Sequence, residues 1–250
     1  MTLPIIEQDP GEQIISVQAQ SNEPRTEPKG TVSGFNPSAV KPQRRGLVHV
    51  YTGDGKGKTT AAIGLALRAA GQNIKVYIIQ FMKGGHYTGE LLATEQFLQG
   101  RITFRQFGRG CIRENKQTQI AAFEEHAQAK RFQFVRDDEP CGECRYCFVN
   151  DATQMELCED AASLSKKIVE SGEYGLVILD EILYAVHYGM LPLQKVVDIL
   201  ASKHSQVELV LTGGNAPAEI IELADLVTNM TRVKHYYDDQ GVLARRGVEY

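Results

Sequence analysis

GLVHVYTGDGKGKTTAAIGLALRAAG, residues 46–71, decides the fold. Its first six residues are a short apolar run rich in β-formers. A glycine-rich turn follows at once, and then TTAAIGLALRAAG (59–71), helical in its Ala/Leu content and ending at Gly71, which suits a left-handed C-cap. Glycines at 53, 55 and 57 let successive backbone N–H groups turn inward and form a concave anion nest. The start of the following helix adds unpaired donors and a partial positive charge.

The side chains in this turn point to phosphate. Lys58 brings a full positive charge to the β/γ-phosphate region of a nucleotide, and Thr59 offers a hydroxyl to Mg²⁺, a hard cation that prefers oxygen. The usual phosphate-loop spacing places a glycine five residues before Gly57. Here that position is Thr52, so TGDGKGKT is a variant loop.

Working outward, KVYIIQF (75–81), RITFRQF (101–107), LVILD (176–180), VELVLTG (207–213) and LVTNM (226–230) read as further strands. Helical stretches fall at 88–98, 192–202 and 217–224. Apolar strands that do not alternate are buried on both faces, the mark of a parallel sheet covered by helices. The class is therefore α/β: a mostly parallel sheet flanked by helices, in a P-loop nucleoside-triphosphate-binding fold. An acidic residue ending a buried strand is where phosphate-loop proteins hold Mg²⁺, and LVILD ends at Asp180, with Glu181 next. Glu181 is suited to metal, to ribose hydroxyls or to water. Tyr184 and His187, just beyond, are placed to line a pocket.

Residues 1–45 are rich in Gln, Ser, Pro, Glu and Asn and show no hydrophobic period, which predicts a disordered N-terminal tail before a domain at 46–250. A formal charge of −4, from 27 Lys+Arg against 31 Asp+Glu, argues against a nucleic-acid partner, which needs a basic surface. No apolar run approaches the ~20 residues that span a bilayer. The N-terminus lacks a secretory pattern, so the expectation is a cytoplasmic protein with no membrane partner.

A Cys-rich stretch stands out at about 111–147. Cys141, Cys144 and Cys147 form C-x₂-C-x₂-C, and Cys158 follows. Four thiolates so spaced suit tetrahedral Zn²⁺ or an iron–sulfur cluster, whereas a buried Cys158 would be an ordinary core residue.

TGDGKGKTTAAIGLALRAAG, then the strand end QFMKG (80–84), then VILDE (177–181), then VKHYYDDQGVLARRGVEY (233–250), together resemble the phosphate-loop-type ATP:corrinoid adenosyltransferases, which act on cob(I)yrinic acid a,c-diamide or cob(I)alamin. The resemblance implies that a reduced corrinoid, as Co(I), attacks the 5′ carbon of ATP and that triphosphate leaves. It implies ATP and Mg²⁺ as cofactors, an electron donor for cobalt reduction as a partner, and is compatible with a homodimer. Carried over residue by residue, Gly53, Asp54, Gly55, Lys56, Gly57, Lys58, Thr59 and Thr60 bind the phosphates, with Arg68, Gln80 and Lys83 as further nucleotide contacts. Lys58, Thr59 and Glu181 are the catalytic set, and Thr59, Asp180 and Glu181 the Mg²⁺ set. A triphosphate lying reversed along the loop, as the family implies, accommodates Thr52.

Two departures accompany the resemblance. Some members use an aromatic pair after the third strand to displace the lower axial ligand of cobalt, and this chain has GRGCIR (108–113) there. The cysteine-rich stretch is an insertion. Both features also suit a second reading, an ATP-binding regulatory paralogue whose insert senses metal or redox state. An ordinary ATPase or kinase would need a residue to orient water or a hydroxyl, and none is evident.

Overall fold

The run KVYIIQF forms β2 (Val76–Phe81), buried at every position, and LVILD forms β4 (Leu176–Asp180), likewise buried throughout. Strands without a polar face need cover on both sides. The computed structural model, which describes residues 45–85, 88–110 and 149–250, supplies it. β2 and β4 lie in a six-stranded sheet with β1 (Val48–Thr52), β3 (Ile102–Phe107), β5 (Glu208–Thr212) and β6 (Leu226–Asn229). The strand order is β3-β2-β4-β5-β1-β6, and every pairing is parallel. Continuous burial holds for β2 and β4 only: β5 opens on half-buried Glu208, and β1 alternates buried with half-buried positions. β3 at one edge is half-buried, and β6 at the other is exposed at all four positions.

Successive residues of a strand point to opposite faces, and this divides the core in two. On one face Val76, Ile78, Leu176, Ile178 and Val210 meet α1 (Lys58–Gly71) through Ala62, Ala66, Ala69 and Ala70. These alanines recur at helical spacing and allow a close approach to the sheet. On the other face Tyr77, Ile79, Phe81, Val177, Leu179, Leu209 and Leu211 meet α3 (Ala152–Ser171), α4 (Ile182–His187) and α5 (Leu193–Ser202). Truncating a fully buried branched side chain such as Ile178 to alanine costs about 2–5 kcal/mol. The remaining helices are α2 (Gly89–Phe97), α6 (Ala218–Leu223) and α7 (Tyr236–Gln240).

The sequence reading did not delimit α3, the longest helix among the described residues. Its boundary signals are present nonetheless. Asp151 accepts the Gln154 N–H at 3.1 Å as an N-cap, and Gly172 closes the helix at φ 66°.

The described residues belong to one compact unit, Arg44–Tyr250. The tail expected at 1–45 lies outside the described residues except for Arg45, and the insertion expected at about 111–147 lies outside them altogether. No helix among the described residues is long and apolar enough to cross a membrane.

Candidate functional site

Because the sheet is parallel, β1, β2, β4 and β5 all end at the same edge, and the loops that leave them converge there. β1 ends at Thr52. The chain then turns through Gly53 (φ 102°) to Gly57 (φ 118°), the residue before α1. Both angles lie in the left-handed region that favours glycine. A Cβ at Gly53 would stand 2.3 Å from Asn229 Oδ1 and 2.4 Å from the Met230 carbonyl oxygen, so that position also needs the absent side chain. Thr52 is still in the strand, opposite Asn229, and its hydroxyl accepts the Ala216 N–H at 3.2 Å. The left-handed turn begins one residue later, which leaves position 52 open to a β-branched residue.

α1 starts without a side-chain cap and without an acid of its own in the first turn; the nearest carboxylate bonded there is Asp180, through Thr59. Lys58 opens the helix and is only 8% exposed. Its ammonium donates to the carbonyl oxygens of Gly53 and Gly55, each at 2.8 Å, and lies 5.8 Å from the Tyr184 ring centroid. Burial lowers its pKa, opposed by Glu181, Asp54 and Asp180. One part of the expected nest is otherwise engaged: the Gly55 N–H donates to the Met230 carbonyl at 2.7 Å.

Asp180 is the hub of the site and is fully buried. Its Oδ1 accepts from Thr59 Oγ1 at 2.8 Å and from Thr212 Oγ1 at 2.7 Å. Its Oδ2 accepts from Gln80 Nε2 at 3.0 Å and from Lys83 Nζ at 2.9 Å. Burial alone would push this carboxyl up, but the Lys83 charge and the bonds from Thr212, Lys83 and Thr59 hold it below the ordinary carboxylate range. Burial likewise pulls Lys83 down, and Asp180, Glu181 and Glu90 more than offset that, leaving it above the ordinary lysine value. Gln80 extends the network: its Nε2 also donates to Glu90 Oε1 at 2.9 Å, and its Oε1 accepts from Gln106 Nε2 at 2.7 Å. The sequence reading missed Thr212, Glu90 and Gln106. For Thr212 a signal existed, since it closes VELVLT as Asp180 closes LVILD.

Glu181 has a left-handed backbone, φ 65°, with its N–H donating to Thr212 Oγ1 at 3.0 Å. Its Oε2 is buried without a hydrogen-bond partner. Burial, and then the neighbouring Asp180 charge, push its pKa up to about 7 against the pull of Lys83 and Lys58. Among the described residues no three or more His, Cys, Asp or Glu side chains gather as a metal group. Thr59 and Asp180 do bring hydroxyl and carboxylate oxygens into contact, with Glu181 adjacent in the chain.

The structure thus brings Lys58, Thr59, Gln80, Lys83, Asp180 and Glu181 together. Asp54 and Lys56 are exposed and bond to the C-terminal segment, Asp54 to the Arg232 N–H at 3.1 Å and Lys56 to Glu249 at 2.6 Å. Thr60 is exposed in the first turn of α1. Arg68 is exposed in the last turn of that helix, apart from this cluster. His187 pairs with Asn215 at 3.1 Å, and Tyr184 stacks on Tyr188. Cys158 is fully buried in the core beneath α3, its thiol pushed up to about 11 by burial, while Cys111, Cys141, Cys144 and Cys147 lie outside the described residues.

Several relatives match this chain along most of their own length. A corrinoid adenosyltransferase of Escherichia coli K12 is 32% identical over 206 residues, 82% of this chain and 86% of its own. One from Pseudomonas aeruginosa PAO1 is 30% identical over 82% of this chain and 84% of its own. The corrinoid adenosyltransferase CobA of Salmonella typhimurium LT2 is 30% identical over 83% and 87%. The model of the family described as ATP:corrinoid adenosyltransferase BtuR/CobO/CobP matches residues 44–139 and 134–250, and the chain belongs to that family.

Proposed function

We propose that this chain transfers the 5′-deoxyadenosyl group of ATP to the Co(I) centre of a reduced corrinoid and releases triphosphate. The observation that carries the reading is Lys58, nearly buried at the uncapped start of α1 with its ammonium on the Gly53 and Gly55 carbonyls. On this reading residues 53–60 are a phosphate loop and the parallel sheet is a P-loop nucleoside-triphosphate-binding fold. Membership of the adenosyltransferase family selects the substrate.

In the reaction a cobalt electron pair forms the bond to C5′. The C5′–O bond breaks, and its electrons leave with the triphosphate. The protein's task is to hold and stabilise that departing charge. Lys58 exchanges its two carbonyl acceptors for phosphate oxygens, while the α1 start adds its partial charge. Co(I) is a strong nucleophile already, so no side chain need remove a proton. An electron donor must supply cobalt in that state.

Thr59 Oγ1 and Asp180 are hard oxygen donors in contact, which fits Mg²⁺, an ion commonly bound through one or two carboxylates together with substrate phosphates. Bound there, Mg²⁺ would neutralise charge on the phosphate oxygens. Gln80, Lys83 and Thr212 fix the Asp180 carboxylate for that task.

The test is incubation with ATP, Mg²⁺ and chemically reduced corrinoid, followed by absorbance. Conversion to a light-sensitive adenosylated corrinoid is the expected result. Nucleotide binding without any such product would overturn the reading in favour of a regulatory paralogue.

A further inference from the structure

The C-terminal segment is bound to the glycine-rich loop at residue after residue. The Met230 N–H donates to the Thr52 carbonyl at 2.8 Å, and the Gly55 N–H donates to the Met230 carbonyl at 2.7 Å. Asp54 accepts the Arg232 N–H at 3.1 Å. The outermost contact is at Lys56. Its Nζ donates to Glu249 Oε1 at 2.6 Å, to Tyr236 Oη at 3.0 Å and to the Val248 carbonyl at 3.4 Å. An ammonium has three N–H donors, so these acceptors use all of them.

The Glu249 side chain is only 17% exposed. Its carboxylate collects Lys56, the Tyr236 hydroxyl and the Arg245 backbone N–H, the last at 2.7 Å, with the Arg245 guanidinium 3.3 Å from Oε1. That guanidinium also lies 4.9 Å from the Tyr236 ring centroid. An isolated surface ion pair contributes little, but a carboxylate shared by a lysine, a hydroxyl and a backbone N–H has few ways to rearrange. Lys56, by contrast with Lys58, is committed to this anchor.

We propose that Glu249 is a positioning residue for the nucleotide site, holding the glycine-rich loop in its left-handed shape through Lys56. Glu249, with Tyr236 and Arg245 around it, thereby becomes part of the apparatus that receives triphosphate. The inference rests on the phosphate-loop reading given above.

The test compares the parent with Glu249→Gln, Lys56→Met and the double variant. It measures affinity for inorganic tripolyphosphate with Mg²⁺ by calorimetry, the KM for ATP, the KM for corrinoid, and the melting midpoint. Each single variant is expected to weaken tripolyphosphate binding and raise the ATP KM roughly tenfold, the scale of one charge-assisted hydrogen bond. The corrinoid KM and melting midpoint stay near the parent's, and the double variant is no worse than either single one. Unchanged or tighter tripolyphosphate binding by Glu249→Gln would overturn the proposal, since a released Lys56 would then be a direct ligand. A lower melting midpoint with both KM values raised together would also overturn it, as a merely structural effect. A parent that fails to bind tripolyphosphate overturns the phosphate-loop reading itself, an outcome distinct from parent and variant binding alike.

Discussion

Thr59 Oγ1 donates a 2.8 Å hydrogen bond to Asp180 Oδ1, joining two residues 121 positions apart in the chain. The bond ties the first turn of α1 to the last residue of β4. β5 lies between β1 and β4, and its terminal Thr212 donates to the same carboxylate oxygen at 2.7 Å. A parallel sheet makes this possible, because every strand delivers its C-terminal residue to one edge.

Lys58→Ala should reduce kcat/KM for adenosylation by at least ~100-fold, the scale of removing one donor to developing charge. Steady-state rates at saturating corrinoid check this. A near-normal rate would remove Lys58 from its role.

Asp180→Asn should destabilise the protein by about 3 kcal/mol, because Lys83, with its side chain only 24% exposed, loses its counter-charge. Urea unfolding measures the loss. An unchanged midpoint would mean that Lys83 is solvated rather than held.

Two glycines should respond oppositely to alanine. At Gly53 the left-handed φ of 102° and the close Asn229 and Met230 atoms make Gly53→Ala costly, by more than about 1 kcal/mol. Gly64 sits within α1, where an added Cβ would meet nothing within 4 Å, so Gly64→Ala should stabilise by about 0.5–1 kcal/mol. Thermal melts of both variants test the contrast; equal shifts would contradict the loop geometry.

Glu181 gives stability a pH dependence. Its carboxyl titrates near 7 in the folded chain against an ordinary 4.5, so between those values the folded state keeps a proton that the unfolded chain has lost. Its contribution is fully present below pH 4.5 and is lost as pH rises through 7. Glu181→Gln, neutral throughout, should therefore raise the melting midpoint of the metal-free protein at pH 8 and change it little near pH 4.5. A difference that is flat with pH would contradict the buried, proton-retaining carboxyl.

The local parts of the site were legible in the sequence, and the long-range parts were not. Residues 53–59 could be read because strand, turn and helix are contiguous and each glycine has a local reason to be there. Asp180 could be read because an acid ending a buried strand is where phosphate-loop proteins hold Mg²⁺, and the loop at 53–59 was already in view. Thr212, Glu90 and Gln106 depend on which strands are neighbours, and Gln106 faces Gln80 only because β3 pairs with β2 in that register. The bonds from Met230, Arg232 and Glu249 to the loop required the chain path after β6. Cys158 was left between two readings by spacing alone, and α3 carries it into the core.

The most direct measurement is the identity and stoichiometry of the phosphate product in a single turnover with ATP and reduced corrinoid, read by phosphorus NMR. One intact triphosphate per adenosylated corrinoid is the expected result. Orthophosphate or pyrophosphate released without corrinoid would contradict cleavage at the ribose carbon.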